Sequence, residues 1–212
     1  MRYSITAGVA LLCLIGMFSG PAVAQEAKAP KAFDYQSELQ RLKTGDTSID
    51  FTRLRLAFAK TKGFSPYSMD ERELGGKAAK ALNAKDFKGA LELAEKILAI
   101  NYLYPDAHMI AMIAESKLGH DEQAAFHRKV LSGLFNSICE PDQGTSQSKP
   151  CKVIAVDEEY FVLQALGLQF KGQALVTCAG SPCDRMTATD SESGKEVQMF
   201  FDVSIPFSRM AH

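Results

Sequence analysis

Two stretches decide how this chain folds: KDFKGALELAEKILAI, Lys85–Ile100, and GHDEQAAFHRKVLSGLF, Gly119–Phe135. Each has an acidic residue near its start and continues with apolar residues at helical spacing. Ala90, Ile97 and Ile100 map onto Ala124, Leu131 and Leu134 at an offset of 34 residues. A further helical run precedes each: Leu74 to Ala84, then Asp106 to Leu118, the latter started by Pro105, with Asp106 where a helix N-terminus favours negative charge. Small residues are needed where paired helices cross, and Ala78, Ala79, Ala81, Ala90, Ala94, Ala111, Ala114 and Ala124 supply them. From Met69 to Ile138 the chain therefore reads as helical hairpins.

An offset of this length is the period of the tetratricopeptide repeat. A plain hairpin bundle uses alanine in the same way, and only about two repeats can be counted where about three normally make a free-standing solenoid. Something else must cover the open end. Upstream, Phe33 to Lys43 reads as a short helix, and Asp50 as the N-cap of FTRLRLAFAKT, with Phe51, Leu54 and Phe58 on one face. Arg53 and Arg55 flank that face and suit surface or domain-bridging ion pairs rather than ligand contacts.

Downstream, Cys151–Val156, Glu159–Phe170, Gln173–Cys178, Asp184–Thr189 and Glu196–Ser204 are rich in Val, Phe, Tyr and Thr and read as strands. Ser191–Gly194 is a hairpin loop, and Met199, Phe201 and Val203 alternate with Gln198, Phe200 and Asp202. The expected fold is α+β, with tetratricopeptide-like hairpins over residues 33–138 packed against a small antiparallel sheet over residues 139–212.

The first 24 residues carry Arg2, an apolar run from Ala7 to Phe18 and the small-x-small triplet Ala22-Val23-Ala24, which together read as a cleaved signal peptide. The run is too short for a membrane anchor, which takes about 20 apolar residues. The mature chain is expected to start at Gln25 with a flexible leader over residues 25–32, and to be periplasmic or secreted with no membrane span. Outside the signal, 23 basic residues face 25 acidic ones, interspersed throughout, which disfavours nucleic acid and anionic membranes as partners.

In an oxidising compartment the four cysteines left, Cys139, Cys151, Cys178 and Cys183, are expected to form two disulfides. Three pairings are open. The two local ones are favoured, because each brackets a turn-rich segment, EPDQGTSQSKP and AGSP, and closing these loops is worth about 3 and about 2 kcal/mol. A zinc cage is the rival reading, but neither pair has the spacing of a zinc knuckle. No metal and no cofactor is expected.

Candidate chemistry is sparse. His120 and His127 lie seven apart on one helix face with Ala124, Leu131 and Leu134, and are expected to be packed, hydrogen-bonded residues rather than ligands. Asp157-Glu158-Glu159-Tyr160 could support acid–base work, in a hydrolase-like enzyme, if one carboxyl were held protonated; the plainer reading is a solvated turn between strands. There is no nucleophile elbow and no phosphate-binding loop.

The chain resembles a family of exported bacterial proteins carrying a domain of unknown function, often grouped with tetratricopeptide-repeat-like chains. The resemblance rests on DFTRLRLAFAKTKGFSPYS (Asp50–Ser68), the helical run to Ile138, DEEYFVLQALGL (Asp157–Leu168) and FFDVS (Phe200–Ser204). It implies a fold and no chemistry, and the cysteine pairs lie outside the shared pattern. The repeat likeness further implies a concave groove lined by the first helix of each pair, which here includes Asp106, Met109, Ile113 and Ser116. Methionine suits adaptable peptide contacts; the competing reading packs Met109 and Ile113 against the sheet. The expectation is a non-catalytic protein binding a peptide or another envelope protein, with the Asp157–Tyr160 enzyme or a structural envelope component as alternatives.

Overall fold

The structure is a computed structural model that describes residues 33–67 and 69–209. The signal peptide expected at 1–24 and the leader at 25–32 lie outside the described residues. Six helices come first: α1 (Tyr35–Lys43), α2 (Phe51–Phe58), α3 (Met69–Asn83), α4 (Phe87–Ile100), α5 (Pro105–Leu118) and α6 (Asp121–Ile138). After a loop follow β1 (Cys151–Lys152), α7 (Val156–Ala165), β2 (Leu168–Cys178), β3 (Ser181–Asp190), β4 (Glu196–Asp202) and α8 (Ser204–Ser208). The helices-then-strands order of an α+β fold is what the sequence pattern requires.

Local chemistry sets the helix boundaries. Asp34, Asp50 and Asp86 cap α1, α2 and α4 by accepting the backbone N–H of Ser37, Arg53 and Gly89, at 3.3, 2.9 and 3.0 Å. Pro105 occupies the first turn of α5, and Gly119 ends it in the left-handed conformation at φ 84°. α3, α4, α5 and α6 pack each on the next. Ala78, Ala90, Ala94, Ala111 and Ala114 form a buried seam between α3, α4 and α5, which lets those axes approach closely. At the α2–α6 crossing the Phe51 ring lies flat on Gly133, where any Cβ would overlap it.

The internal echo holds for packing only in part. Ala90 and Ala124 are both buried, but Ile100 is 54 % exposed while its counterpart Leu134 is fully buried. Leu134 is covered because α1 and α2 fold back over α6, with Leu42, Phe51 and Leu54 around it. Among the described residues no equivalent layer covers Ile100.

The sheet runs β1-β4-β3-β2. Its three long strands are antiparallel, as expected, but β1 pairs with β4 in parallel, so the sheet is mixed. The parallel entry follows from the loop between α6 and β1, which Cys139–Cys151 closes and whose Gly144 carbonyl accepts the N–H of Phe200 at 2.8 Å, bringing the chain onto β4 from the same end. A second correction concerns Glu159–Phe170, read as a strand. It is the body of α7, and β2 begins only at Leu168. Three acidic residues at the helix start and Gly167 at φ 70° after its end outweigh the strand preference of Tyr160, Phe161 and Val162. The expected strand Cys151–Val156 shrinks to Cys151–Lys152 for the same reason, since α7 starts at Val156.

The cysteines pair Cys139–Cys151 and Cys178–Cys183, with Cα atoms 4.5 and 5.5 Å apart, the local pairing. The core under the sheet joins α6, α7 and all layers of β structure through Ile138, Val153, Phe161, Val162, Met186 and Phe201. Among the described residues no helix is long and apolar enough to cross a membrane.

One polar network ties these layers together. Arg55 on α2 is 1 % exposed, and it donates to Glu158 on α7 through Nε (2.8 Å) and Nη2 (2.5 Å). It also donates to the carbonyls of Ser137, closing α6, and Lys152, in β1, at 2.7 and 3.1 Å. Glu158 accepts a further bond from the Ile154 N–H at 2.8 Å. This is the domain-bridging role open to the two arginines; Arg53 instead stacks over Phe33, 4.6 Å from its centroid. Arg55→Met leaves Glu158 as a buried unpaired carboxylate and is expected to cost about 3–5 kcal/mol, whereas Arg55→Met with Glu158→Leu costs less than the single change. Urea unfolding of the two variants measures the difference, and a double variant less stable than the single one contradicts it.

Candidate functional site

The four residues expected to line a groove do form one stripe of α5. Asp106, Met109, Ile113 and Ser116 follow one another at three- and four-residue steps, the first two half-buried and the last two exposed, while Ala107, Ile110, Ala111 and Ala114 on the other side are packed. Ile113 is 37 % exposed.

The stripe is not one site. Met109 faces a cleft of about 520 Å³ between α5, α6 and the end of α7, which it lines with Met112, Leu131, Phe135, Phe161 and Leu166. Arg128, Ser132 and Gln164 supply its polar rim. Asp106 lies at the other end of α5 beside Asp157, and burial, then the charge of Asp157, pushes its carboxyl up to about 6. Ile113 and Ser116 stand outside the cleft lining. Phe161 and Leu166 are hidden from the sequence pattern when the α7 segment reads as a strand; with helical spacing, Phe161 and Ala165 fall one turn apart.

The acidic cluster at the start of α7 is a helical first turn, not a turn between strands, and its members diverge. Asp157 accepts from Arg72 Nε at 2.7 Å; burial raises its carboxyl and Arg72 opposes the rise. Glu158 is taken up by Arg55. Tyr160 is 40 % exposed and meets Phe170 edge-on, with centroids 5.4 Å apart. Glu159 is the exception: it is completely buried and neither of its oxygens has a hydrogen-bond partner among the described residues. Burial, followed by the charges of Asp184, Glu158 and Asp157, holds its carboxyl up at about 9. Asp184 on β3 is also raised by burial and accepts from Gln173 Nε2 at 2.5 Å.

The two histidines separate as well. His120 precedes α6, exposed, and bonds Glu115 at 2.5 Å, so it is not the packed residue expected. His127 turns to His108, the two Nδ1 atoms 2.8 Å apart. His108 Nε2 lies 2.8 Å from the Tyr102 carbonyl, which only accepts, so Nε2 carries the proton, and His127 Nδ1 donates to His108 Nδ1. Burial lowers His108 to about 4 and lowers His127, keeping both rings neutral at neutral pH. Among the described residues no group of three His, Cys, Asp or Glu side chains is placed to hold a metal ion.

An α+β architecture of helical hairpins capped by a disulfide-clasped mixed sheet, with an open apolar cleft and divergent acidic residues, defines the class of protein. The chain belongs to the DUF4919 family, a domain of unknown function, which matches residues 26–212. No curated protein and no solved structure matches it.

Glu159 makes stability depend on pH with a definite sign. Its carboxyl keeps its proton in the folded state up to about 9, against an ordinary value of 4.5. Between these values the folded chain binds more protons than the unfolded one, so this group's contribution falls as pH rises. The melting temperature is expected to drop from pH 7 to pH 9 and to drop less steeply in Glu159→Gln; thermal unfolding at several pH values checks it, and equal slopes in the two proteins contradict it.

Proposed function

We propose that this protein is a non-catalytic binding protein of the cell envelope that receives an apolar stretch of a peptide or of a neighbouring protein in the cleft between α5, α6 and α7. The observation that carries this reading is that α5, with half-buried Met109 in its wall, borders an open apolar cleft of about 520 Å³. Such a volume lies within the roughly 300–1,000 Å³ of ligand pockets and accommodates one or two large side chains. Met109 and Met112 give the wall side chains that repack around different apolar shapes, and Arg128, Ser132 and Gln164 can bond a peptide backbone at the rim. A periplasmic or secreted location, reached through the signal peptide read at residues 1–24, is supported by the two disulfides, which persist in oxidising compartments.

The enzyme alternative built on Asp157–Tyr160 gains less support. Three of the four side chains are turned toward different partners, and the fourth, Glu159, is sealed from solvent, so the set presents no shared point at which a substrate atom could meet both an acid and a base. A purely structural envelope component would not need the cleft to stay open.

Methionine-methyl NMR with a leucine-rich amphipathic helical peptide tests the reading. The Met109 and Met112 signals are expected to shift saturably, and Met109→Glu to weaken binding at least tenfold without changing the melting temperature by more than a few degrees. Undisturbed methionine signals, or full affinity in Met109→Glu, defeat the proposal.

A further inference from the structure

A second concavity lies on the inner face of the sheet, where neither α7 nor α8 covers it, and it differs in chemistry from the α5–α6–α7 cleft. It encloses about 260 Å³, and its apolar walls are Val156, Leu175, Val203 and Phe207. Two of these are unusually open for large apolar residues inside a fold, Leu175 at 58 % and Phe207 at 41 % exposed. Leu175 pairs with Asp184 across β2 and β3, and Gln173 with Met186, so Leu175 and Gln173 share the face that elsewhere carries the core residues Met186 and Ala188. The core face thus continues past the end of the core and stops uncovered.

The polar groups in this concavity are acceptors. Asp184 contributes its carboxylate, and Gln173, whose Nε2 donates to Asp184 Oδ2, turns its Oε1 free. The Tyr67 hydroxyl spends its proton on the Pro206 carbonyl at 3.1 Å and keeps its oxygen lone pairs. Among the described residues lining the cavity none is basic. Behind the wall sits Glu159, one helical turn beyond the lining residue Val156 and therefore on the same side of α7, buried and without a partner for either oxygen. Its nearest electrostatic neighbours are Asp184, Glu158 and Asp157, and Tyr67 senses both Asp184 and Glu159. Glu158 is compensated by Arg55 and Asp157 by Arg72. Asp184 and Glu159 have no cation within ion-pair distance among the described residues.

We propose that this cavity binds a cationic group carried on an apolar stem, an alkylammonium ion or the side chain of a lysine, with Asp184, Gln173 and Tyr67 receiving its N–H donors and Leu175, Val203 and Phe207 covering the methylenes. A volume just under the usual range for ligand pockets suits one such side chain rather than a larger ligand. The ammonium gives the Asp184 carboxylate the counter-ion that it lacks among the described residues, and the uncovered apolar face gains the cover it lacks.

The test is a methyl-NMR titration of the full chain with hexylammonium chloride, hexanol, sodium hexanoate and a doubly capped lysine amide, at constant ionic strength. Hexylammonium is expected to shift the Leu175 and Val203 methyls saturably, with hexanol and hexanoate at least tenfold weaker. The capped lysine binding as tightly as hexylammonium assigns the site to a protein side chain; weaker binding assigns it to a free amine. Asp184→Asn is expected to weaken hexylammonium at least tenfold and leave hexanol unchanged. Leu175→Lys, at an exposed position where folding is not at stake, places a tethered ammonium over the cavity and is expected to abolish hexylammonium binding. The inference is overturned if hexanol binds as well as hexylammonium, if no methyl shifts saturably, or if Leu175→Lys leaves the titration unchanged. Because Met109 lies in the other cleft, Met109→Glu leaves this titration intact, so the two sites fail or stand separately.

Discussion

The pairing of Arg55 with Glu158 is the constraint on which the rest of the molecule depends. A guanidinium 1 % exposed cannot stay charged away from water unless nearly all its donors are satisfied, and here Nε, Nη1 and Nη2 all find acceptors: two carboxylate oxygens and the carbonyls of Ser137 and Lys152. Those four acceptors belong to three separate stretches of chain. The bonds therefore fix the end of α6, the short strand β1 and the first turn of α7 relative to α2. Apolar packing alone would tolerate α7 sliding along the sheet by a residue or two; a bidentate contact does not.

α7 is in turn the element that both concavities share. Its first residue, Val156, borders the cavity on the sheet, and its C-terminal half, with Phe161, Gln164 and Ala165, walls the apolar cleft. The acidic residues of its first turn have three different fates because a helix aims successive side chains about a hundred degrees apart. Asp157 meets Arg72 on α3, Glu158 meets Arg55 on α2, and Glu159 is buried with no partner for either oxygen among the described residues. Desolvation with no partner among the described residues then keeps Glu159 protonated, which is why one residue of an acidic triplet behaves as a neutral buried acid.

The helical half was legible in the sequence because its signals are local. Asp50, Asp86 and Pro105 mark helix starts by chemistry that needs only the next three residues, and the alanine seam of α3–α5 follows from spacing alone. The local disulfide pairing was legible for a similar reason, since each pair closes a short loop. α7 was not legible as a helix because YFVLQALGL, Tyr160–Leu168, combines strand-favouring residues with a buried run, Phe161 to Leu163, that hides its period. The parallel pairing of β1 depends on the Gly144–Phe200 bond, a contact between residues far apart in sequence, and no local pattern encodes it. The same misreading of α7 concealed half of the cleft, so Met109 was found without the Phe161 and Leu166 that face it.

The uneven covering of the two halves bears on what each concavity is for. Where the fold needs an apolar face closed, it closes it: Leu134 disappears under α1 and α2, and the Met186–Ala188 part of β3 under α7. Burying a large aliphatic side chain is worth about 1.5–3 kcal/mol, so a chain that leaves Leu175, Leu166 and Phe207 uncovered next to such well-covered neighbours forgoes stability it has the elements to gain. α8 is only five residues long, and Leu166 and Gly167 lie between the end of α7 and the start of β2. That the chain instead spends polar residues beside them, Gln173 and Asp184 at one and Arg128 and Gln164 at the other, fits surfaces that exchange water for a ligand rather than unfinished packing.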